Sequence, residues 1–465
     1  MNTTSKWTLA LVFATVPVSA VITSQSANAA TFTTLHSFLS TNGGPYGAPI
    51  QATNGDLYGT TQEAAGAYGA VFKITPSGTL TMLHIFDGTD GANPESGLIQ
   101  ATNGDLYGTT YQGGANSVGT VFKITPGGTL TTLHSFDTTD GAYPESGLIQ
   151  ATNGDLYGTT IDGGANCTSS GGCGTVFKIT PGGTLTTLYS FCSQTNCTDG
   201  TQPESGLMQA TNGDLYGTTY QGGANGKGTV FKITPGGTLT TLHSFDTTDG
   251  EYPSGALIQA TNGDLYGTAQ EGGSGFGTVF QITLVGTLTT RHNFVYSDGA
   301  YPYAGLMQAT NGDLYGTVQD GGTTGVGTVF KITPGGTLTT LHIFDSTDGS
   351  YPLAGLTQDT NGKLYGTTTG GGADANGTVF SLSLGLAPFV ETQTTSGKVG
   401  VAVKILGSNL TGSTSVTFNG TAATFTVVSR SEITTTVPTG ATTGTVEVTT
   451  PGGTLKSNKK FTVTP

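Results

Sequence analysis

The chain has 465 residues, with 76 Gly, 9% charged and 35% hydrophobic residues and a formal charge of −14. The charge is uneven: residues 31–385 carry 8 basic and 26 acidic groups, residues 386–465 carry 6 and 3. A surface this acidic argues against phosphate-backbone binding and hence against nucleic acid as a partner, and apolar runs such as "TVFKI" between the Gly-rich tracts argue against disorder.

In chain order, Lys6 precedes an apolar run from Trp7 to about Ile22 and then Ala27-Asn28-Ala29. This predicts an export signal over residues 1–29, cleaved near Ala29, because a short apolar core followed by small residues is a cleavage signature. Thr15, Pro17 and Ser19 interrupt the run, which is too short for the roughly 20 apolar residues of a membrane span. No transmembrane segment is expected in the mature chain, which is read as secreted or held at the cell surface.

The string "NGDLYG" recurs from Asn54, Asn103, Asn153, Asn212, Asn262 and Asn311, and as "NGKLYG" from Asn361, at spacings of 49, 50, 59, 50, 49 and 50 residues. Periods of this length indicate a propeller or solenoid. The second unit contains four strand-like runs: "GLIQAT" from Gly97, "DLYGTT" from Asp105, "GTVFKI" from Gly119 and "TLTTLHSF" from Thr129. Asn-Gly between the first two predicts a type I′ hairpin, in which both residues take positive φ. Pro126-Gly127-Gly128 supplies the second hairpin, and the remaining connections, "YQGGANSV" and "DTTDGAYPES", are longer.

The seventh unit ends at "GTVFSLSLG" without a "TLTTLHSF" run, whereas the mature N-terminus opens with "TFTTLHSF" from Thr31 and lacks the run that normally precedes it. The two fragments complement each other. The expected fold is therefore all-β: a seven-bladed β-propeller over residues 30–385, closed by its N-terminal strand, which removes exposed sheet edges. In that arrangement "GLIQAT" is innermost, the tight hairpins share one face, and the longer loops lie on the other, where binding is expected. An open array is the alternative.

The strings "NGDLYGTT", "GTVFKITPGGTLTTLHSF" and "DGAYP" over residues 31–385 resemble the GloVer tandem repeat family, a group of exported bacterial proteins with varied surface anchors. The resemblance implies export but carries no activity or ligand.

All four Cys, namely Cys167, Cys173, Cys192 and Cys197, fall in the third unit. An even number in an exported chain predicts disulfides; a structural zinc site is the alternative, though the spacings lack Cys-x-x-Cys pairs. The segment 386–465 has short strands with Gly, Asn and Pro turns, predicting a small β-sandwich. Gly407-Ser408-Asn409-Leu410, Val416-Thr417-Phe418-Asn419-Gly420, Val437-Pro438 and Thr450-Pro451-Gly452-Gly453 resemble the motifs of an IPT/TIG immunoglobulin-like domain. That likeness implies a spacer.

The six His (His36, His84, His134, His243, His292 and His342) share one position in "TLTTLHSF", occupied by Tyr189 in the third unit. Packing is the reading, since equivalent positions lie in separate blades. The Asp of "NGDLYG" becomes Lys363 in the last unit and is read as turn support. Calcium at the "DTTDG" loops, for example Asp137 with Asp140 or Asp246 with Asp249, is the alternative that their oxygen ligands offer, but the ligand set is sparse, and no cofactor or metal is expected.

Departures from the repeat are more informative. Glu95, Glu145 and Glu204 occur in "PES" only in units two, three and four, beside the innermost strand, and are candidates for a cation or a polyhydroxylated ligand; solvated loop charges are the plainer alternative. Lys227 and Arg291 are further departures. No Gly-x-Ser-x-Gly, His-Glu-x-x-His or phosphate-loop string occurs, and no catalytic residue is assigned. The sequence reads as an exported binding or scaffold protein whose loop face takes an extracellular glycan or protein. A propeller glycan hydrolase or lyase and a purely structural envelope or matrix protein are the alternatives.

Overall fold

The computed structural model describes residues 30–63, 68–166 and 173–465. The proposed signal, residues 1–29, lies outside them. In unit two, strands Ile99–Gln100, Leu106–Thr110, Thr120–Ile124 and Leu130–Ser135 pair antiparallel in sequence order. Among the described residues seven such four-stranded sheets occur; in the seventh, Thr31–Ser37 pairs with Thr378–Ser383, beside Leu364–Thr368 and Thr357–Gln358. The N-terminal strand thus supplies the outer edge that the seventh unit lacks.

Each sheet is covered on both faces by its neighbours, which explains why Leu106–Thr110 is buried at every position instead of alternating. The outer strand, with one flank in water, returns to a polar, half-buried pattern. Opposite Val121 and Phe122 it carries a one-residue bulge at Leu133, repeated at the equivalent place in the other sheets, which adds local twist. Gly108 cannot be replaced cheaply: a Cβ there would meet the Phe122 ring at 2.7 Å.

The Asn-Gly turn differs from the expected type I′ geometry. The loop has three residues, Thr102, Asn103 and Gly104, with the Gly104 N–H donating to the Ala101 carbonyl and the Ala101 N–H to the Asp105 carbonyl. Only Gly104 takes positive φ, at 91°, as in a type I turn followed by a left-handed residue. Asn103 is therefore there for its side chain. Its Oδ1 accepts the Asp105 N–H, and its Nδ2 donates to the hydroxyl of Tyr107, a fully buried side chain. The Asp105 carboxylate lies 3.9 Å from Lys123 on the third strand.

The hydrophobic core sits between units. Tyr107, Val121 and Phe136 of unit two pack with Leu148, Leu156, Phe177 and Ile179 of unit three, and Tyr365 and Val379 of unit seven pack with Leu57, Phe72 and Ile74 of unit one. Two sets of hydrogen bonds accompany this packing. The hydroxyl of each second-strand Thr donates to a carbonyl at the start of the next inner strand, from Thr60 to Ser96 through to Thr367 to Gly47. Near the Asn-Gly turns, each inner-strand Gln accepts a backbone N–H from the preceding unit, as Gln150 does from Thr102 and Gln51 from Thr360. Both sets include the step from unit seven to unit one.

The C-terminal segment forms two four-stranded sheets, one ordered Val390–Thr392, Ala402–Gly407, Glu432–Thr436 and Phe425–Val427, the other Thr421–Ala423, Ser415–Phe418, Val446–Thr450 and Gly453–Lys456, and a parallel pair, Ser396–Lys398 with Thr462–Thr464. Val403, Ile405, Val416, Phe418, Ile433 and Val448 are buried between them. This sandwich rests on the Asn-Gly turns: the Ser431 hydroxyl donates to the Thr53 carbonyl at 2.7 Å, and Ser408 and Thr360 exchange a hydroxyl hydrogen bond at 2.8 Å.

Replacing Asn103 with Ala leaves the buried Tyr107 phenol without its donor and is expected to cost about 1–3 kcal/mol, read as a lower midpoint in urea unfolding. An unchanged midpoint would show that the side chain serves the turn alone.

Candidate functional site at the post-proline positions

In units two to seven the segment leading into the inner strand is held by a backbone bond to the preceding unit. In unit three, the Tyr143 N–H donates to the Val118 carbonyl at 2.8 Å, and the Ala142 N–H donates to the Asp162 carbonyl of the same unit. The residue before the proline sits at positive φ in six units: Asn93, Tyr143, Gln202, Tyr252, Tyr301 and Tyr351, between 54° and 59°. Non-glycine residues adopt this region at a cost. The reversal sets up the residue after the proline, which through units one to seven is Tyr46, Glu95, Glu145, Glu204, Ser254, Tyr303 and Leu353.

These positions converge across the ring. The Tyr303 hydroxyl of unit six donates to Glu145 Oε1 of unit three at 3.3 Å. Gln62 Nε2 donates to Glu95 Oε1 at 2.5 Å. Burial pushes the Glu145 carboxyl up to about 7, with the Glu95 charge adding to it, and burial with the Glu145 charge pushes Glu204 up to about 8. Glu95 is raised too, chiefly by burial, with Gln62 opposing. Burial and the same carboxylates raise the phenols of Tyr46 and Tyr303, and Tyr111 is pushed up to about 12. The structure therefore brings together the three Glu singled out by sequence and adds Tyr46 and Tyr303. Sequence reasoning passed over these two, although they occupy the same post-proline position.

Chemically, the site offers two carboxyls, Glu145 and Glu204, that hold protons near neutrality and can donate as well as accept, beside phenols that do both. Aromatic pairs stand around it at the unit junctions. Tyr111 and Tyr143 have ring centroids 5.1 Å apart, Tyr220 and Tyr252 4.9 Å. Lys227 pairs with Glu251 and lies over the Tyr252 ring, with its nitrogen 5.1 Å from the centroid.

Other residues noted in the sequence have structural partners. His134 Nε2 lies 2.7 Å from Asp140 Oδ2, and the pairing recurs at His84, His243, His292 and His342. In unit three Tyr189 donates to Asp199 at 2.8 Å in the same way. At His36 the position of the Asp is held by Asn42, and its Nε2 is buried without a hydrogen-bond partner. In the "DTTDG" loop, Asp137 Oδ1 accepts from the Thr139 N–H and hydroxyl, and Asp140 Oδ1 from the Asp137 N–H. Those oxygens close the turn. Among the described residues no group of three or more His, Cys, Asp or Glu could hold a metal ion.

Arg291 donates to Gln281, which itself reaches Asp264, restoring a cation where unit five has lost its Lys. Cys192 and Cys197 form a disulfide, which excludes the zinc alternative for that pair; Cys173 is also disulfide-bonded, and Cys167 lies outside the described residues. No helix of the described residues is long and apolar enough to cross a membrane.

The model of the Gloeobacter/Verrucomicrobia repeat matches residues 19–209 and 165–380, and that of the IPT/TIG domain matches residues 388–463. No curated protein matches the chain. Among solved structures, the extracellular domain of a protein assigned as a hybrid two-component system from Bacteroides thetaiotaomicron is 12% identical, with a TM-score of 0.50, covering 94% of this chain and 60% of that one. The periplasmic gluconolactonase of Pseudomonas aeruginosa is 16% identical, with a TM-score of 0.45 and coverages of 69% and 94%. A protein assigned as a 6-phosphogluconolactonase from Bacteroides fragilis is 17% identical, with a TM-score of 0.46 and coverages of 77% and 92%. At these identities the likeness is one of fold, that of propeller-like repeated sheets.

Glu145 and Glu204 have folded-state values above the usual carboxylate range, so the folded form binds protons more tightly than the unfolded chain. Their contribution to stability is complete below about pH 4.5 and is lost as pH rises through about 7 to 8. The melting temperature is expected to fall from pH 5 to pH 8.5, and Glu204→Gln to flatten that fall. A slope unaltered in the variant would place the titration elsewhere.

Proposed function

We propose a binding function for this chain, which belongs to the Gloeobacter/Verrucomicrobia repeat family: the loop face takes an extracellular glycan at the channel mouth, and the IPT/TIG domain holds the opposite face as a spacer. The observation that carries the reading is the meeting of Glu145 and Tyr303 across the ring, with Glu95, Glu204 and Tyr46 close enough to act on them. Sugars present hydroxyls that need both donors and acceptors, and apolar C–H faces that lie against aromatic rings. Protonated carboxyls, phenols and the paired tyrosines of the rim match those two demands. A neutral or weakly cationic glycan suits the acidic array better than a polyanion does.

The polarity of the molecule supports this assignment. The C-terminal sandwich covers the Asn-Gly turns of units seven and one, so a chain tethered through that end would carry its loop face outward. Export fits the Cys192–Cys197 disulfide, because such bonds persist in oxidising surroundings.

One observation favours the second reading, a glycan hydrolase or lyase. Glu145 holds a proton near neutrality beside a phenol, the protonation state required of a general acid.

A glycan array followed by calorimetry on residues 30–465 tests the proposal. The variant with Glu95, Glu145 and Glu204 all changed to Gln is expected to bind the selected glycan at least tenfold more weakly with its melting temperature kept or raised. Undiminished binding by that variant would remove the channel mouth as the site. Release of new reducing ends by the natural chain, abolished by Glu145→Gln, would establish the enzymatic reading instead.

A further inference from the structure

The seventh unit departs from the other six where it meets the C-terminal domain. Its inner strand reads "LTQDT", so Asp359 stands where the other units have Ala52, Ala101, Ala151, Ala210, Ala260 and Ala309. Asp359 and Thr360 are both 0% exposed, whereas the equivalent Thr102, Thr152, Thr211, Thr261 and Thr310 are exposed. The covering material is the C-terminal segment: Thr360 accepts the Phe389 N–H at its carbonyl, at 3.0 Å, and its hydroxyl pairs with Ser408.

Asp359 Oδ1 accepts the Asn361 N–H at 2.9 Å and lies 3.4 Å from the Thr360 hydroxyl. Oδ2 is buried without any hydrogen-bond partner. A buried carboxylate oxygen with no donor is costly, and the cost falls on the charged form.

We propose that Asp359 makes the seam between the repeat array and the IPT/TIG domain pH-responsive, with the domain locked in place when the carboxyl is protonated and loosened when it ionises. Loosening lets water reach the buried Oδ2 and add to the hydrogen bonds that Asn361, Gln51 and Thr360 offer the carboxyl. The groups facing the carboxyl from each neighbouring element are few. On its own turn Lys363 favours ionisation, and on the next strand Tyr365 carries a phenol raised chiefly by burial, with the Asp359 charge adding to it. From unit one comes the uncharged Gln51, and from the linker and the sandwich the Phe389 amide and Ser408. Burial outweighs the hydrogen bonds from Asn361, Gln51 and Thr360 and the charge of Lys363, and holds the group at about 6. Folded, it binds its proton more tightly than an unfolded or undocked Asp, so the docking it supports is complete below about pH 4 and is lost as pH rises through about 6.

The readout must be local, because Glu145 and Glu204 also make global stability depend on pH. Hydrogen exchange of the Phe389 amide in residues 30–465, corrected for the intrinsic pH dependence of exchange, is expected to quicken at least tenfold between pH 5 and pH 7.5. Asp359→Ala restores the residue of the other units and is expected to abolish the change. Asp359→Asn, which mimics the protonated carboxyl, is expected to remain slow throughout. A natural chain with constant Phe389 exchange, or an Asp359→Ala variant with the same profile as the natural chain, would overturn the proposal.

Discussion

The structure rests on a buried donor that each unit shares with the next. The second strand of each sheet is buried on both faces, so its Thr hydroxyl needs a protein partner, and in every unit it reaches a carbonyl where the neighbouring inner strand begins. Unit seven meets the same demand through Gly47 of unit one. A chain of identical obligations has no satisfied end until the last unit reaches the first. The Gln acceptors near the Asn-Gly turns repeat the arrangement one strand-length below. Together with the core clusters between units, these bonds make the interface the stable element of the molecule rather than the single sheet.

That rule also places the candidate site. The carbonyl that receives the Thr hydroxyl lies one residue after the post-proline side chain in most units, so satisfying the donor fixes where the side chain stands. The left-handed residue before the proline turns the chain sharply enough to allow it. Seven side chains are thereby delivered to one rim by a purely structural requirement. The proposed binding function then needs only a change of residue type at these positions, as at Glu95, Glu145, Glu204, Tyr46 and Tyr303.

Most departures elsewhere are compensated, the His36 and Asn42 pair excepted, and this separates them from those of the rim. Where unit five replaces Lys with Gln281, Arg291 arrives from the outer strand to restore a cation. Where unit seven replaces the turn Asp with Lys363, the Lys opposite has become Ser381. Tyr189 takes over from His and reaches Asp199 as His134 reaches Asp140. Glu145 and Glu204 are not neutralised by any such partner: their neighbours are other carboxyls and phenols, which raise the proton affinity of the site. Asp359 is a further uncompensated case, and it lies where the repeat meets the C-terminal sandwich.

The sequence alone determined the unit length, the four strands per unit, the complementary ends and the small sandwich, because each is written in short-range patterns of apolar spacing and turn residues. It also marked Glu95, Glu145 and Glu204 as breaks in a regular series. It misjudged the Asn-Gly turn, since the pair alone does not reveal that Thr102 belongs to the loop or that Asn103 serves the buried Tyr107 phenol. Tyr46 and Tyr303 went unnoticed because their partners lie in distant units: the bond from Tyr303 to Glu145 joins residues 158 positions apart. The identity of Asp359 was visible, but its burial was not. Only the tertiary structure set the sandwich on the Asn-Gly turns and sealed that carboxyl beneath it, because which face receives the second domain depends on packing between folded surfaces and leaves no periodic mark in the chain.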